Sequence, residues 1–210
     1  MAIQWSFTSQ GMTQDTTKTI FTSKRPSAAG AHTKQQTAPT LLSTYQMEPI
    51  KNIPVEVFEN NYPVRINSFS LRRDSGGPGR NRGGLGIIKE YEALYDDTFL
   101  YLWFERSVTP AWGIKGGKDG AKPNVVVRSG GDVKEMLKVN AYPMAKGTTA
   151  TVYTGGGGGF GCSFERDPQK VREDYLQEYI SREEARTAYG VVLSEIGDID
   201  ETMTKSLRNA

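Results

Sequence analysis

Residues 62–94 read YPVRINSFSLRRDSGGPGRNRGGLGIIKEYEAL, and this stretch decides the fold of the chain. It predicts a strand, a turn rich in glycine and arginine over residues 74–84, and a second strand. Before the turn, apolar residues alternate at Val64 and Ile66 and then change parity at Phe69. Because one extra residue exchanges the two faces of a strand, this change predicts a β-bulge. The stretch therefore predicts an irregular hairpin.

The turn also carries candidate binding groups at its tip, where Arg72, Arg73, Arg80 and Arg82 are found. The planar guanidinium groups of Arg80 and Arg82 suit a carboxylate or phosphate, so both are candidate positioning residues. Pairing with carboxylates inside the fold or at an interface is the alternative, which we rank higher. A single GRNRGG segment without a basic field does not support RNA binding.

A run of glycines follows a predicted strand over residues 148–153. Its main chain can approach an anion, a tetrahedral intermediate or a substrate amide, because no side chain obstructs it. The candidate contact residues are Gly155, Gly156, Gly157, Gly158, Gly159 and Gly161. A tight packing loop against a partner chain is the alternative. A nucleotide P-loop is not indicated, because no Gly-Lys-Ser/Thr sequence follows.

Further strands are predicted by apolar and aromatic residues. Residues 98–106, TFLYLWFER, predict a buried strand with apolar side chains on both faces. Other predicted strands cover residues 125–127, 134–142 and 148–153, the last two joined across PMAKGT. Residues 55–62 fit the spacing of a helix or of a strand, and so short a run leaves both open.

The C-terminal part changes to helical patterns. Asp167 can cap a helix that starts with Pro168. Ser181 begins a capping box for a second helix, which Gly190 ends. A weaker third helix is predicted over residues 198–207. The predicted fold class is therefore α+β: mainly β, with irregular glycine-rich hairpins and sheet, and two or three C-terminal helices.

Residues 1–50 form a polar segment rich in Thr, Ser, Gln and Lys. Such a segment buries too little apolar surface to offset its chain entropy, so we expect it to be extended, partner-dependent or partly disordered. Trp5 and Phe7 can anchor a short strand there. The predicted organisation is this segment followed by one domain over residues 51–210.

Composition narrows the class of protein. The 210 residues include 23 glycines and only 37% hydrophobic residues, which favours a piece that packs on other protein. The net charge of +2 does not by itself indicate nucleic acid or an anionic membrane. No apolar run approaches a membrane span, and no signal peptide is recognised. The lone Cys162 excludes an internal disulfide framework, so a cytoplasmic location is expected.

Side-chain catalysts are scarce. A nucleophilic Cys162 needs a base, and the single histidine, His32, lies in the polar segment, where a solvent-exposed position is expected. One Cys and one His do not make a credible zinc site. Acidic pairs near residues 96–97 and 198–200 have turn or cap contexts. No catalytic residue and no metal ligand is assigned.

Three motifs together resemble the hydantoinase B/5-oxoprolinase family. They are SGGPGRNRGGLGI after YPVRI, TPAWGIKGG, and TGGGGGFG with the ERDPQKVREDYLQEYISREEARTAYGVVL that follows. They occur in the family's order over about residues 52–193. Many members have an aspartate where this chain has Cys162. The resemblance does not extend convincingly into residues 1–50, where members normally carry several hundred residues with His- and Asp-bearing motifs.

The resemblance implies an ATP-dependent enzyme that opens cyclic amides such as hydantoin, 5-oxoproline or a lactam, or a related ketone carboxylase. In the family an A-type subunit phosphorylates the substrate's carbonyl oxygen, and the N-terminal part of the B-type subunit carries divalent-metal ligands. ATP and a divalent metal are thus implied in the rest of the complex, with neither bound by this chain. The implied partners are an A-type subunit and the missing N-terminal part of a B-type subunit. The expected role is a C-terminal part or small subunit that is inactive alone, with a non-catalytic assembly module as the alternative.

Overall fold

The computed structural model describes residues 2–7, 20–22, 53–104 and 107–209, the first two ranges by their backbone alone. The strands are β1 Ala2–Phe7, β2 Ile20–Thr22, β3 Val64–Leu71, β4 Ile87–Ala93, β5 Thr98–Trp103, β6 Asn124–Ser129, β7 Asp132–Met136, β8 Lys138–Met144 and β9 Thr149–Tyr153. The helices are α1 Val55–Asn61, α2 Pro168–Leu176, α3 Arg182–Tyr189 and α4 Glu201–Asn209, and a 3-10 turn covers Ser163–Glu165. The α+β class with mainly β-structure is confirmed.

The larger sheet has the antiparallel strand order β3-β4-β9-β6-β7. Its register pairs Leu71 with Ile87, Ile88 with Tyr153, and Asn124 with the same Tyr153. The end of β3, the start of β4, the end of β9 and the start of β6 therefore lie at one end of the sheet. All the glycine-rich connections leave from this end.

The predicted hairpin is confirmed as the antiparallel pair β3 and β4. Its register shifts between Ile66 and Ser68, where the change of parity predicts a bulge. The segment left open between helix and strand is the helix α1, whose buried Phe58 lies against Tyr62 and Tyr91 at ring-centroid distances of 5.0 and 6.1 Å. The helix thus covers one face of the hairpin.

The smaller sheet has the order β2-β1-β5-β8. On β5 and directly after it, Leu100, Leu102 and Phe104 are fully buried in a core that includes residues of both sheets. The prediction that both faces of this strand are buried is wrong for Trp103, whose exposed fraction is 42%. The facing sheet covers only the Leu100 side, because side chains alternate between the two faces of a strand.

Strand β1 pairs with β5 from Ala2 opposite Trp103 to Phe7 opposite Thr98. A short strand at Trp5 and Phe7 is therefore present, and it belongs to the same sheet as β5. The remaining predictions for residues 1–50, including the position of His32, lie outside the described residues. The boundary at residue 50 stays a prediction.

The chain changes sheets twice between β6 and β9. The single strand predicted over residues 134–142 is instead β7, which pairs with β6, and β8, which pairs with β5. The break falls at Leu137, whose carbonyl accepts a hydrogen bond from the Phe104 N–H at 3.1 Å. Strand β9 then returns to the larger sheet, so the PMAKGT connection crosses between sheets.

The C-terminal helices pack around a second core. Its buried members are Val171, Ile180, Ala185, Ala188, Tyr189, Val191 and Leu193. The predicted caps are confirmed: the Asp167 side chain accepts from Gln169 N, the Ser181 side chain accepts from Glu184 N, and Gly190 has a φ of +63°. Local side-chain chemistry therefore sets both ends of α3 and the start of α2.

The last helix starts later than residue 198. Asp200 Oδ1 accepts the Met203 N–H at 2.9 Å, so Asp200 supplies the cap. Asp198 is engaged in a preceding turn, where its carbonyl accepts from Ser194 N and its N–H donates to Ser194 Oγ. Both acids suit a cap by residue type, and the turn decides between them.

We predict that Tyr189→Phe raises the free energy of unfolding by about 1 kcal/mol. The Tyr189 hydroxyl is buried and has no hydrogen-bond partner among the described residues, and an unmatched buried polar group is destabilising. Urea unfolding measures the change. Tyr175→Phe is the matched control with the opposite sign, because the Tyr175 hydroxyl donates to Glu195 O at 3.0 Å. A loss of stability in Tyr189→Phe would contradict the prediction.

Candidate functional site

Three glycine-rich segments meet at one end of the larger sheet. We call residues 75–86, 111–121 and 154–161 together the glycine lattice. The segments carry backbone hydrogen bonds from one to the next. Examples are Gly77 N to Gly157 O (2.8 Å), Gly157 N to Gly84 O (2.9 Å), Gly156 N to Ala121 O (3.0 Å), Ala121 N to Ser75 O (2.9 Å), Gly159 N to Lys118 O (2.9 Å) and Lys118 N to Pro78 O (2.7 Å). The lattice therefore continues the hydrogen bonding of the sheet beyond its strands.

The pentaglycine run is at the centre of this lattice. A Cβ placed on Gly156 would lie 1.6 Å from Ser75 O, and one on Gly158 would lie 2.0 Å from Trp112 O. One on Gly159 would lie 2.1 Å from Pro78 O. Each of these carbonyls belongs to a neighbouring lattice segment, so no side chain fits between the backbones.

Close approach, and not an unusual dihedral angle, explains most of the run. Within residues 155–161, all of which the structure describes, a left-handed φ occurs at Gly161 (+75°). The other glycines of the run are required because the adjacent carbonyl oxygens occupy the space of a Cβ. The entropy lost in ordering these residues is offset by the lateral hydrogen bonds.

Main-chain donors of the run are directed into the lattice. The N–H groups of Gly156, Gly157, Gly159 and Gly161 donate to Ala121, Gly84, Lys118 and Ile114 respectively. These four donors are therefore used within the chain. Gly155 and Gly157 are half-buried, whereas Gly156, Gly158, Gly159 and Gly161 are buried. Contact between this backbone and a reaction intermediate stays a prediction, and its accessible positions are Gly155 and Gly157.

Arg82 does not lie at an exposed tip. Its guanidinium is buried and contacts the Asp174 carboxylate through Nε (3.2 Å) and Nη2 (3.3 Å). Arg166 Nη2 donates to the same carboxylate at 2.7 Å. We call Arg82, Asp174 and Arg166 the buried ion cluster. The pairing within the fold that the sequence analysis ranks higher is thus what the structure shows for Arg82.

The buried ion cluster joins the glycine lattice to the C-terminal helices. Arg82 belongs to the lattice, Asp174 lies on α2, and Arg166 Nη1 donates to Arg80 O at 3.1 Å. Arg82 also contacts the Tyr179 ring at 5.4 Å from its centroid. Burial raises the pKa of Tyr189, whose ring lies 6.0 Å from the Arg166 guanidinium. The cluster is therefore enclosed by aromatic side chains.

Sequence reasoning missed Asp174 and Arg166. The signal for Asp174 is its position three residues after the buried Val171, which places a carboxylate on the apolar face of α2. A charge on that face requires a partner of opposite sign. Arg166 has no comparable local signal, because it lies between the 3-10 turn and the cap residue of α2.

Arg80 remains accessible at the rim of the lattice. Its N–H donates to Gly161 O at 3.2 Å, which fixes its backbone, while its side chain is 50% exposed. The Arg80–Glu165 contact is 3.7 Å long and joins two exposed side chains, so it restrains the guanidinium weakly. The neighbouring Cys162 is also exposed. Of the two arginines proposed to position a ligand, Arg80 is the one that can reach it.

A second contact joins the start of the lattice to α3. Asp74 Oδ1 accepts the Ser181 N–H at 2.6 Å, and Asp74 N donates to Tyr179 O at 3.1 Å. Burial raises the pKa of the nearby Glu184 carboxyl, and the charge of Asp74 raises it further, whereas Lys118 lowers it. A raised carboxyl pKa favours folding below the unfolded-state pKa and is lost as the pH rises through the folded-state value. Ionised Glu184 is therefore a cost at neutral pH.

The described part of the chain gives no metal centre: it contains no group of three or more His, Cys, Asp or Glu residues placed to hold an ion. Nor does any helix within that part have the length and apolar character to cross a membrane. The fold and the lattice together define a sheet protein whose distinctive feature is backbone packing.

The family model for hydantoinase B/oxoprolinase matches residues 3–163, so the chain belongs to this family. The match begins within residues 1–50, where the sequence shows no convincing resemblance. It includes all three lattice segments and ends before the helices α2 and α3.

Two kinds of relatives resemble the chain. It is 34% identical over 163 residues to a putative D-/L-hydantoinase B-type polypeptide of Pseudomonas sp. (strain NS671), which is 75% of this chain and 27% of that protein. The solved structure of the ATP-dependent caprolactamase of Pseudomonas jessenii superposes with a TM-score of 0.78 at 23% identity, covering 100% of this chain and 37% of the other. A nucleotide-free acetone carboxylase structure gives 0.82 at 18% identity, covering 99% and 32%. The last two likenesses establish the fold. The chain spans about a quarter to a third of each of these proteins.

Gly156→Ala is expected to lower the free energy of unfolding by at least about 3 kcal/mol, because the added Cβ would meet a backbone carbonyl that cannot move aside. Chemical denaturation monitored by circular dichroism measures the loss. Gly155→Ala is the matched control in the same run, since its Cβ would lie 3.1 Å from the nearest atom, Ala121 O. Equal stability of the two variants would show that the run is not closely packed.

Asp174→Asn is expected to cost about 3–5 kcal/mol, because it leaves two buried guanidinium groups without a counter-charge. The exposed pair Arg182–Glu195, at 3.8 Å, supplies the control. Glu195→Gln should change stability by less than about 0.5 kcal/mol. If both substitutions have similarly small effects, the buried ion cluster does not stabilise the fold.

Proposed function

We propose that this chain supplies the glycine lattice of a B-type subunit in an ATP-dependent enzyme that opens cyclic amides. The substrate class is a hydantoin, 5-oxoproline or a lactam, and an A-type subunit is the ATP-using partner. The observation that carries the proposal is the convergence of the glycine-rich segments of all three family motifs on one end of the larger sheet. Motifs that meet in space form one functional unit more readily than motifs that remain apart.

Within that unit, the lattice acts as a rigid frame for groups at its rim. Arg80 is fixed through its backbone and keeps an accessible guanidinium, which suits the phosphate or carboxylate of an activated intermediate. Gly155 and Gly157 can approach the same intermediate, because no side chain shields their backbone. The cyclic-amide hydrolase activity is expected of the assembled complex and not of this chain alone.

Partners and cofactors follow from the same proposal. The relatives are about three to four times as long as the matched region, so we propose that the remaining B-type polypeptide completes the site. ATP and a divalent metal are assigned to that remainder and to the A-type subunit. The described residues do not form a metal-binding donor set, so no step is routed through a metal on this chain. A cytoplasmic location stays a prediction from the lone cysteine.

A non-catalytic assembly module is the second candidate, and one observation favours it. Trp112 is 59% exposed and Ile114 is 45% exposed, although both lie in a lattice segment with tightly packed neighbours. Large apolar side chains on a fixed backbone suit contact with another polypeptide. The same fold in acetone carboxylase makes a ketone carboxylase complex a further form of this alternative.

The test is purification of the native complex through a tag on this chain, followed by assays of the intact complex. ATP-dependent ring opening of hydantoin, 5-oxoproline or caprolactam supports the proposal. ATP-dependent carboxylation of acetone supports the ketone carboxylase alternative, and a complex without either activity supports the assembly module. Ring opening by this chain alone would overturn the proposed dependence on partners.

In an active complex, we expect Arg80→Gln to lower kcat/KM by about tenfold or more, because a hydrogen bond to a charged group contributes about 1.5–3 kcal/mol. The control is Lys170→Gln, which removes an exposed positive charge on α2 at a distance from the lattice in sequence. Thermal unfolding of both variants checks that the fold is retained. Unchanged kcat/KM in Arg80→Gln would remove Arg80 from the site.

A further inference from the structure

An aromatic cage encloses the ammonium group of Lys89, outside the glycine lattice. Lys89 Nζ lies 5.1 Å from the ring centroid of Phe69, 5.2 Å from that of Tyr91 and 5.6 Å from that of Phe58. Phe69 is the direct cross-strand partner of Lys89 between β3 and β4, and Phe58 comes from α1. We call Phe58, Phe69 and Tyr91 the lysine cage.

Lys89 lacks the partners that a buried ammonium normally has. Within the described residues, its Nζ donates no hydrogen bond and forms no ion pair. The carboxylates of the surrounding elements are engaged elsewhere or exposed. Glu59 accepts from Ile66 N, Glu90 accepts from Thr151 Oγ1, Glu92 pairs with Arg65, and Glu56 is exposed. The rings attract the charge through their faces but cannot accept its three N–H donors as water does.

The cage therefore favours a neutral side chain. Burial lowers the pKa of Lys89, and no neighbouring charge contributes to this shift. A larger share of Lys89 than of an exposed lysine is then the free amine near neutral pH. One side of the cage remains open, because Phe69 is 43% exposed whereas Phe58 and Tyr91 are almost fully buried. A small reagent can reach the amine from that side.

We propose that Lys89 is a modification site for small acyl donors of the acyl phosphate class. The lone pair of the neutral amine forms a bond to the acyl carbon, and the bond from that carbon to the phosphate oxygen breaks. Phosphate leaves with the electron pair, and the proton of the attacking nitrogen passes to solvent. The product is a neutral amide whose apolar stem and acyl group pack on the three rings. This inference is independent of the proposed function.

Competitive acetylation of the full chain with acetyl phosphate at pH 7.5 tests the proposal, with peptide mass spectrometry giving the rate at each lysine. We expect Lys89 to react at least about threefold faster than Lys170 and Lys205, two exposed helix lysines, because more of it is neutral. Repeating the reaction at pH 11 should remove this advantage, since exposed lysines are then also neutral. A rate at pH 7.5 equal to or below that of Lys170 overturns the proposal.

Two variants separate the cage from general accessibility. Phe69→Ala opens the cage to water, so Lys89 should lose its advantage at pH 7.5 while Lys170 is unchanged. Lys89→Gln, which resembles the acylated side chain, should raise Tm, whereas Lys170→Gln should leave it unchanged. A faster reaction of Lys89 in Phe69→Ala would show that the rings only block access, and a lower Tm for Lys89→Gln would show that the cage requires the cation. Either result overturns the proposal.

Discussion

The structure depends on how closely backbones can approach one another when no Cβ separates them. In the glycine lattice, carbonyl oxygens occupy the space that side chains would need, as at Gly156 beside Ser75 O and at Gly158 beside Trp112 O. Only at this spacing do the lateral N–H groups reach their acceptors. The antiparallel order of the larger sheet supplies the other condition, because it directs the connections to one end.

The buried ion cluster serves a different purpose, which is to attach the C-terminal helices to the lattice. Two guanidinium groups share the single carboxylate of Asp174, so the cluster carries an excess positive charge. Backbone carbonyls of Gly83 and Arg80 accept the remaining donors and reduce the cost of burying that charge. The helices are thereby held by polar contacts as well as by their own apolar core.

Local features of this fold could be predicted from sequence, and non-local ones could not. The caps at Asp167, Ser181 and Gly190 depend on residues within one turn, and the bulge after Ile66 depends on the parity of one strand. The break at Leu137 has no such signal, because it depends on which sheet each half of the segment joins.

The candidate site divides in the same way. The sequence indicates that the pentaglycine run and the arginines of the turn are special, since both break the ordinary pattern of strands. It does not indicate that the glycines face one another, nor that Arg82 turns inward to Asp174, 92 residues away along the chain. Those outcomes follow from the order of strands in the sheet, which no single segment encodes.

The lattice segments are far apart in sequence, and none of them can satisfy its hydrogen-bonding groups alone. Each segment becomes ordered only when the sheet has brought the others beside it. Formation is therefore cooperative across residues 75–161, and the loop-closure entropy of all the connections must be lost before the first lateral bond is gained. Amide hydrogens in this region should exchange with solvent as one unit, through openings that separate all three segments together.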